Sequence, residues 1–323
     1  MLAAAIDQGS LILEEKDRPE PGPEQALVRV HLAGICGTDL EILAGYAGFS
    51  GTPGHEFVGR VVQARERPEI VGCRAVADIN FGCGHCRWCL RGDQRHCVQR
   101  RVLGIREHSG AFAHYVLVPA ANLYPVPDDL ADEEAVFAEP LAAALEVTQQ
   151  VHVTAQTRTA VLGDGKLGLL CALALDHYTP SLTLFGRHSA KLHSAARQGI
   201  STVLLPPQPQ PSRLDPRFDL VVECTGRTEG IHTALDLVRP EGSVVLKTTS
   251  HQATTLDMSR VVVNELSILG SRCGDIGLAM HFLARKWIDV RPLIEAVFPL
   301  ADIAAAVQRA GQKGALKVLV NCL

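Results

Sequence analysis

The chain has 323 residues, more than one hydrophobic core normally supports, and 47% of them are hydrophobic, enough to fill two. Its formal net charge is -4 and it holds no run of lysine and arginine, which excludes the broad field that draws nucleic acid or anionic lipid. No stretch approaches the roughly 18 apolar residues of a membrane span, and Met1–Ile6 lacks the basic flank and cleavage site of a secretory signal. The expectation is a cytoplasmic protein with neither nucleic acid nor membrane as partner.

Up to about residue 125, short apolar runs such as Ala26–Val30 and Phe57–Val62 alternate with glycine and proline, which predicts antiparallel strands. From residue 138 the texture changes. A helix is predicted over Leu141–Val151, a buried strand over Thr159–Leu162, then a glycine turn and a helix over Leu167–Leu175. Further strands at Leu182–Phe185, Leu220–Glu223 and Ser243–Leu246 are separated by segments long enough for crossover helices, so the fold class is α/β with a doubly wound parallel sheet. The proline-rich stretch 206–211 reads as a surface loop. After residue 285 come Leu293–Phe298, a helix near 300–310 and a last strand, Lys317–Val320, able to return to the first domain. The expected domains are therefore 1–137 with 286–323, and 138–285.

Ten cysteines without a secretory signal point to a reducing compartment, where thiols serve metals more often than disulfides. Cys83, Cys86, Cys89 and Cys97 place four thiolates close enough in sequence to surround one zinc, with Gly82, Gly84 and Gly92 supplying turns. Four thiolates close the coordination shell, so this lobe, residues 80–100, is structural and catalysis is sought elsewhere.

Gly163-Asp164-Gly165-Lys166-Leu167-Gly168 follows the apolar strand and opens a helix, the context in which a G-x-G-x-x-G run cradles a dinucleotide pyrophosphate on backbone amides. NAD sites of this type carry an acidic residue roughly 20 positions on, where it holds the ribose 2′-hydroxyl. Here that strand ends Gly186-Arg187-His188. A glycine followed by a cation suits a 2′-phosphate, so NADP is expected over NAD. Glu223-Cys224-Thr225-Gly226 ends another strand at the same sheet edge and is expected to border the nicotinamide, with Lys247-Thr248-Thr249 and Ser271-Arg272-Cys273-Gly274 as further strand-end loops.

The remaining candidates are Cys36 in Gly34-Ile35-Cys36-Gly37-Thr38-Asp39, His55 and Glu56 after Gly54, and Glu139 before Pro140. Singly they read as a core cysteine, a turn histidine and a helix-entry carboxylate; together they form a mixed thiolate, imidazole and carboxylate set suited to a zinc with an open position. Taken in order, these motifs resemble the zinc-containing medium-chain dehydrogenase/reductase family, in its polyol, sorbitol and threonine dehydrogenase branch. The resemblance covers nearly the whole chain.

It implies a GroES-like β-rich catalytic domain beside a Rossmann cofactor domain, two zinc ions per chain, and hydride transfer between a secondary alcohol and its ketone. It assigns Cys36 and His55 as zinc ligands, with Glu56 and Glu139 as ligands or water-mediated partners, and Asp39 as the carboxylate that orients His55. Thr38 would bind the substrate hydroxyl and pass its proton outward, unless it serves only as a helix cap. Lys317 would lie near Glu56 and the cofactor phosphates. Gly163, Gly165, Lys166, Leu167, Gly186, Arg187, His188, Cys224 and Thr225 would line the cofactor. Glutamate at 139 leans the substrate toward polyols. Glu41 stands where many relatives carry a relay histidine. A homodimer or homotetramer is implied by resemblance alone. Two rival readings are a zinc-independent quinone or enal reductase, weakened by the presence of both metal motifs, and a non-catalytic dinucleotide-binding regulator.

Overall fold

The computed structural model describes residues 1–7, 9–206, 217–249 and 253–323. It divides into two compact units, Met1–Glu139 with Ile276–Leu323, and Pro140–Asp275. The proline-rich stretch 206–211, beyond Pro206, lies outside the described residues.

The first unit is built on a GroES-like antiparallel sheet. Its central strand, Gln25–Gly34, buries Ala26, Leu27, Val28 and Val30 while leaving Arg29 exposed. One half of this strand pairs with Tyr115–Pro119, and its whole length pairs with Glu56–Ala64. The final strand, Lys317–Asn321, runs antiparallel to Leu32–Gly34 and parallel to Ile294–Pro299, so the end of the chain does return to this sheet. The return begins at Ile276, ahead of the texture change near 285, because helix Ile276–Ala284 buries Ile276, Phe282 and Leu283 and neighbours the short helix Asp132–Ala135 of the same unit.

The second unit holds six parallel strands in the spatial order Ser201–Leu204, Leu182–Gly186, Thr159–Leu162, Phe218–Glu223, Val238–Leu246, Ser267–Gly270. In chain order this is 3-2-1-4-5-6, the Rossmann arrangement, whose direction of winding reverses between Thr159–Leu162 and Phe218–Glu223. Both of those strands are largely buried, with apolar centres at Ala160–Leu162 and Leu220–Val222, as a sheet covered on two faces requires. The helix Lys166–Asp176 carries a run of strong helix formers and buries Leu169, Leu170, Ala172 and Leu175. Sequence reasoning passes over the two edge strands, Ser201–Leu204 and Ser267–Gly270, because each is short and half solvated, with no apolar run to mark it.

The helix predicted from Leu141 begins at Ala138. Pro140 therefore falls in the first turn, where its missing N–H costs nothing, and Glu139 occupies the same turn beside the positive end of the helix dipole.

Candidate metal centres and nucleotide loop

Cys36 stands two residues beyond the strand Gln25–Gly34 and caps the helix Gly37–Leu43. The capping interaction comes from Asp39, whose Oδ2 accepts the Cys36 backbone N–H at 2.8 Å. Thr38 is therefore not the cap, and its Oγ1 lies 3.8 Å from the Cys36 sulfur. His55 follows Gly54, which adopts φ +97°. A Cβ at Gly54 would sit 2.8 Å from the Phe112 ring. The 52–54 backbone is clamped by Gly110 N–H to Thr52 O at 2.6 Å, Ala111 N–H to Gly54 O at 2.8 Å and Phe112 N–H to Pro53 O at 3.0 Å. Gly104 packs on the same carbonyl, 2.4 Å from where its Cβ would lie. This clamp fixes the backbone that carries His55, and the sequence reading gave Gly104 and Gly110–Phe112 no role.

Donor atoms of Cys36, His55 and Glu56 all lie within 4.8 Å of one another. His55 and Glu56 are 3% and 1% exposed, too deep for charged groups without partners. Asp39 Oδ1 faces His55 Nδ1 at 3.4 Å, a long ion-pair contact between two buried side chains. Burial opposes protonation of His55, yet Asp39 and then Cys36 outweigh it and raise the imidazole well above its usual range. Glu56 Oε2 pairs with the Lys317 ammonium, itself 3% exposed. Gly34 makes room for that carboxylate: a Cβ there would stand 2.3 Å from Glu56 Oε2. Glu56 Oε1 is buried with no hydrogen-bond partner among the described residues. An orphaned buried acceptor beside a thiol and an imidazole is a donor set that could hold a zinc with one position open.

Glu139 lies outside the three-residue cluster. Its carboxyl is pushed up to about 7, chiefly by desolvation; Glu56 adds to the rise, while His55 and Lys317 oppose it. It thus shares the electrostatic surroundings of the cluster.

The four lobe cysteines converge, with all four sulfurs within 4.8 Å. None of the chain's ten cysteines is in a disulfide. The short helix Arg87–Leu90 brings the Cys86 and Cys89 sulfurs to 3.6 Å. Gly84 and Gly92 take left-handed turns at φ +81° and +80°, and a Cβ on Gly82 would meet the Cys89 sulfur at 2.5 Å. The Cys86 thiol is drawn down to about 6, first by the Cys89 backbone N–H, while desolvation lifts Cys89 to about 11. Four convergent sulfurs, one of them drawn toward the thiolate, form a set that could hold a metal ion.

In the second unit, Gly163 turns at φ +117° with its Cα against the Cys224 carbonyl, 2.6 Å from where a Cβ would be. Gly168 packs on Gly163 O, where a Cβ would lie at 1.9 Å, whereas nothing stands within 4 Å of a Cβ on Gly165. Two glycines therefore serve packing, and the middle one, capping the helix from Lys166, leaves its outer side open to a ligand. Arg187 is exposed and His188 half-buried at the end of Leu182–Gly186. The space at Gly186 that suggested a 2′-phosphate is filled: Asp164 Oδ2 accepts the Arg187 N–H at 2.8 Å and the His188 N–H at 2.6 Å, and a Cβ on Gly186 would lie 2.5 Å from it. Asp164 carries no signal of its own in the sequence, standing at a variable position of the glycine run.

At the neighbouring strand end, buried Glu223 accepts both the N–H and the hydroxyl of Thr225, at 2.7 and 2.6 Å. The Cys224 sulfur lies 3.9 Å from that of Cys171. Lys247 donates to Ala143 O, Ser271 Oγ and Arg272 O at 2.6, 3.1 and 2.9 Å. Its ammonium is spent on tying strand ends to the helix Ala138–Gln150, which leaves it no hydrogen for a ligand.

Residues 22–128 match the family model described as the alcohol dehydrogenase GroES-like domain, and residues 167–290 match that of the zinc-binding dehydrogenases. A sorbitol dehydrogenase from Halalkalibacterium halodurans is 26% identical over 97% of this chain and 96% of its own length. Among solved structures, an alcohol dehydrogenase from Escherichia coli in complex with NADH superposes with a TM-score of 0.93 at 27% identity, covering 99% of both chains. A zinc-binding dehydrogenase from Sinorhizobium meliloti bound to NADP gives 0.89 at 29%, again over 99% of both. Among the described residues no helix is long and apolar enough to cross a membrane. The chain belongs to the zinc-containing medium-chain dehydrogenase/reductase family and is an oxidoreductase of its alcohol and polyol dehydrogenase group.

Proposed function

We propose that this chain is a zinc-dependent, nicotinamide-linked dehydrogenase that moves a hydride between a secondary alcohol, polyol-like or otherwise hydroxylated, and its ketone. The observation that carries the reading is the Cys36, His55 and Glu56 cluster with its orphaned Glu56 Oε1. Cys36 and His55 would hold the metal, with Glu56 and Glu139 as ligands or as partners through water. A zinc there supplies a Lewis acid that eases loss of the substrate hydroxyl proton. Thr38 Oγ1, beside the Cys36 sulfur, hydrogen-bonds the substrate hydroxyl and hands its proton outward. Lys317 pairs with Glu56 Oε2 and fixes the position of that carboxylate. The four lobe cysteines hold a second, structural zinc.

The substrate class draws support from relatives named sorbitol, D-arabitol-phosphate and L-threonine 3-dehydrogenases. Nucleotide contacts would come from Gly163, Gly165, Lys166 and Leu167 at the pyrophosphate, with Cys224 and Thr225 toward the nicotinamide. Lys317 is less suited to cofactor phosphates than the sequence implies, because its buried ammonium already pairs with Glu56. The preference for NADP over NAD loses its main premise, since the room at Gly186 holds a carboxylate. A homodimer or homotetramer is supported by the half-solvated edge strand Ser267–Gly270 and by Met258, Val262 and Val263, exposed on the helix Met258–Val263.

Purified protein supplied with NAD⁺ or NADP⁺ and a panel of polyols and secondary alcohols should reduce the nicotinamide, and Cys36→Ala should abolish this. Turnover untouched by Cys36→Ala would refute the metal reading; binding of dinucleotide with no turnover on any alcohol would favour the regulatory one.

A further inference from the structure

We infer that Asp164, the residue between the first two glycines of the nucleotide loop, reads the 2′ position of the cofactor and selects NAD(H) over NADP(H). The inference rests on the nicotinamide reading above. The strand-end carboxylate that normally holds the ribose is missing at Gly186. The structure puts a carboxylate against that position from the nucleotide loop. Asp164 is 6% exposed, and its Oδ2 accepts the backbone N–H groups of both Arg187 and His188. Its Oδ1 lies 2.9 Å from His188 Nδ1. A carboxylate has about four acceptor positions, so these contacts leave Oδ1 able to accept from a ribose hydroxyl.

Gly186 and Asp164 are a matched pair. A Cβ at Gly186 would fall 2.5 Å from Asp164 Oδ2, 2.6 Å from its Cβ and 2.7 Å from its Cγ. Any side chain on residue 186 would displace Asp164, so a carboxylate from the strand end and one from the loop are alternatives. Two consequences act against a 2′-phosphate. The N–H groups best placed to receive it are already bound, and a fixed negative charge stands beside them. Arg187, exposed at the same turn, offers a counter-charge, but a solvated arginine is weaker than a buried carboxylate held by two amides.

Dissociation constants for NADH and NADPH, from fluorescence titration of the full chain, test this without turnover. The parent should bind NADH tighter by about tenfold or more, and Asp164→Asn, of equal shape but uncharged, should shrink that ratio by about tenfold. The double variant Asp164→Ala with Gly186→Asp returns the carboxylate to the strand end and should restore the preference for NADH, even if Asp164→Asn folds poorly. A parent that prefers NADPH, or a ratio unmoved by Asp164→Asn while the melting temperature falls, would make Asp164 a turn clamp only and overturn the inference. Failure of the parent to bind either nucleotide would overturn it together with the nicotinamide reading.

Discussion

Replacing Lys317 by methionine removes the partner of a carboxylate that has no other. Glu56 is 1% exposed and Lys317 3%, so water cannot take the place of the lost ammonium. Glu56 Oε1 already lacks a hydrogen bond, and the substitution strips Oε2 as well. Breaking a buried ion pair from one side costs about 3–5 kcal/mol, which in a unit of this size lowers the melting temperature by on the order of 10 °C. Differential scanning calorimetry of metal-free protein is the assay, because a bound cation would supply Glu56 with a substitute charge. Zinc should then recover part of the loss. Removing both charges, Lys317→Met with Glu56→Leu, should be far less damaging than the sum of the single changes, since it leaves no orphaned charge. A Lys317→Met melting temperature within about 1 °C of the parent, or additive single and double variants, would refute the reasoning.

Other consequences are more local. Gly168→Ala drives a methyl to 1.9 Å of Gly163 O and should destabilise the second unit by about 1–3 kcal/mol, read by urea unfolding, and weaken dinucleotide binding in titrations. Cys97→Ser, in the one fully buried lobe cysteine, should lower the metal content by one zinc per chain and leave the lobe open to limited proteolysis. Burial pushes the Asp132 carboxyl up, but His31 and Arg74, each 2.7 Å away, outweigh it and hold the carboxyl below its ordinary value. That stability is present above the unfolded carboxylate value, about 3.9, and is lost as pH falls through the lower folded one. Asp132→Asn should therefore cost about 1–2 kcal/mol in urea at neutral pH and progressively less in acid. Val262→Asp with Val263→Asp, at positions 71% and 79% exposed, should lower the mass of the homo-oligomer in light scattering; an unchanged mass would place any interface elsewhere.

Most of the parallel sheet was legible because its inner strands hold short apolar runs, Ala160–Leu162 and Leu220–Val222 among them, as a covered sheet requires. The edge strands Ser201–Leu204 and Ser267–Gly270 were not, since an edge satisfies itself with mixed residues. The metal candidates were legible as residue types at familiar spacings. What spacing cannot convey is which atoms are left over after packing. The orphaned Glu56 Oε1, the ammonium of Lys247 consumed by two carbonyls and a hydroxyl, and the Gly54 clamp by Gly110–Phe112 all depend on long-range hydrogen bonds. Asp164 shows the limit most clearly. In sequence, glycine at 186 reads as vacant space; in the fold, the residue that fills it comes from 22 positions earlier.

The metal content of the purified protein and of its Cys36→Ala variant tests the central claim most directly. The account predicts two zinc ions per chain in the parent and one in the variant, the remaining ion held by Cys83, Cys86, Cys89 and Cys97. One zinc in both proteins would leave the cysteine lobe as the sole metal site and contradict a zinc-dependent catalytic centre at Cys36, His55 and Glu56.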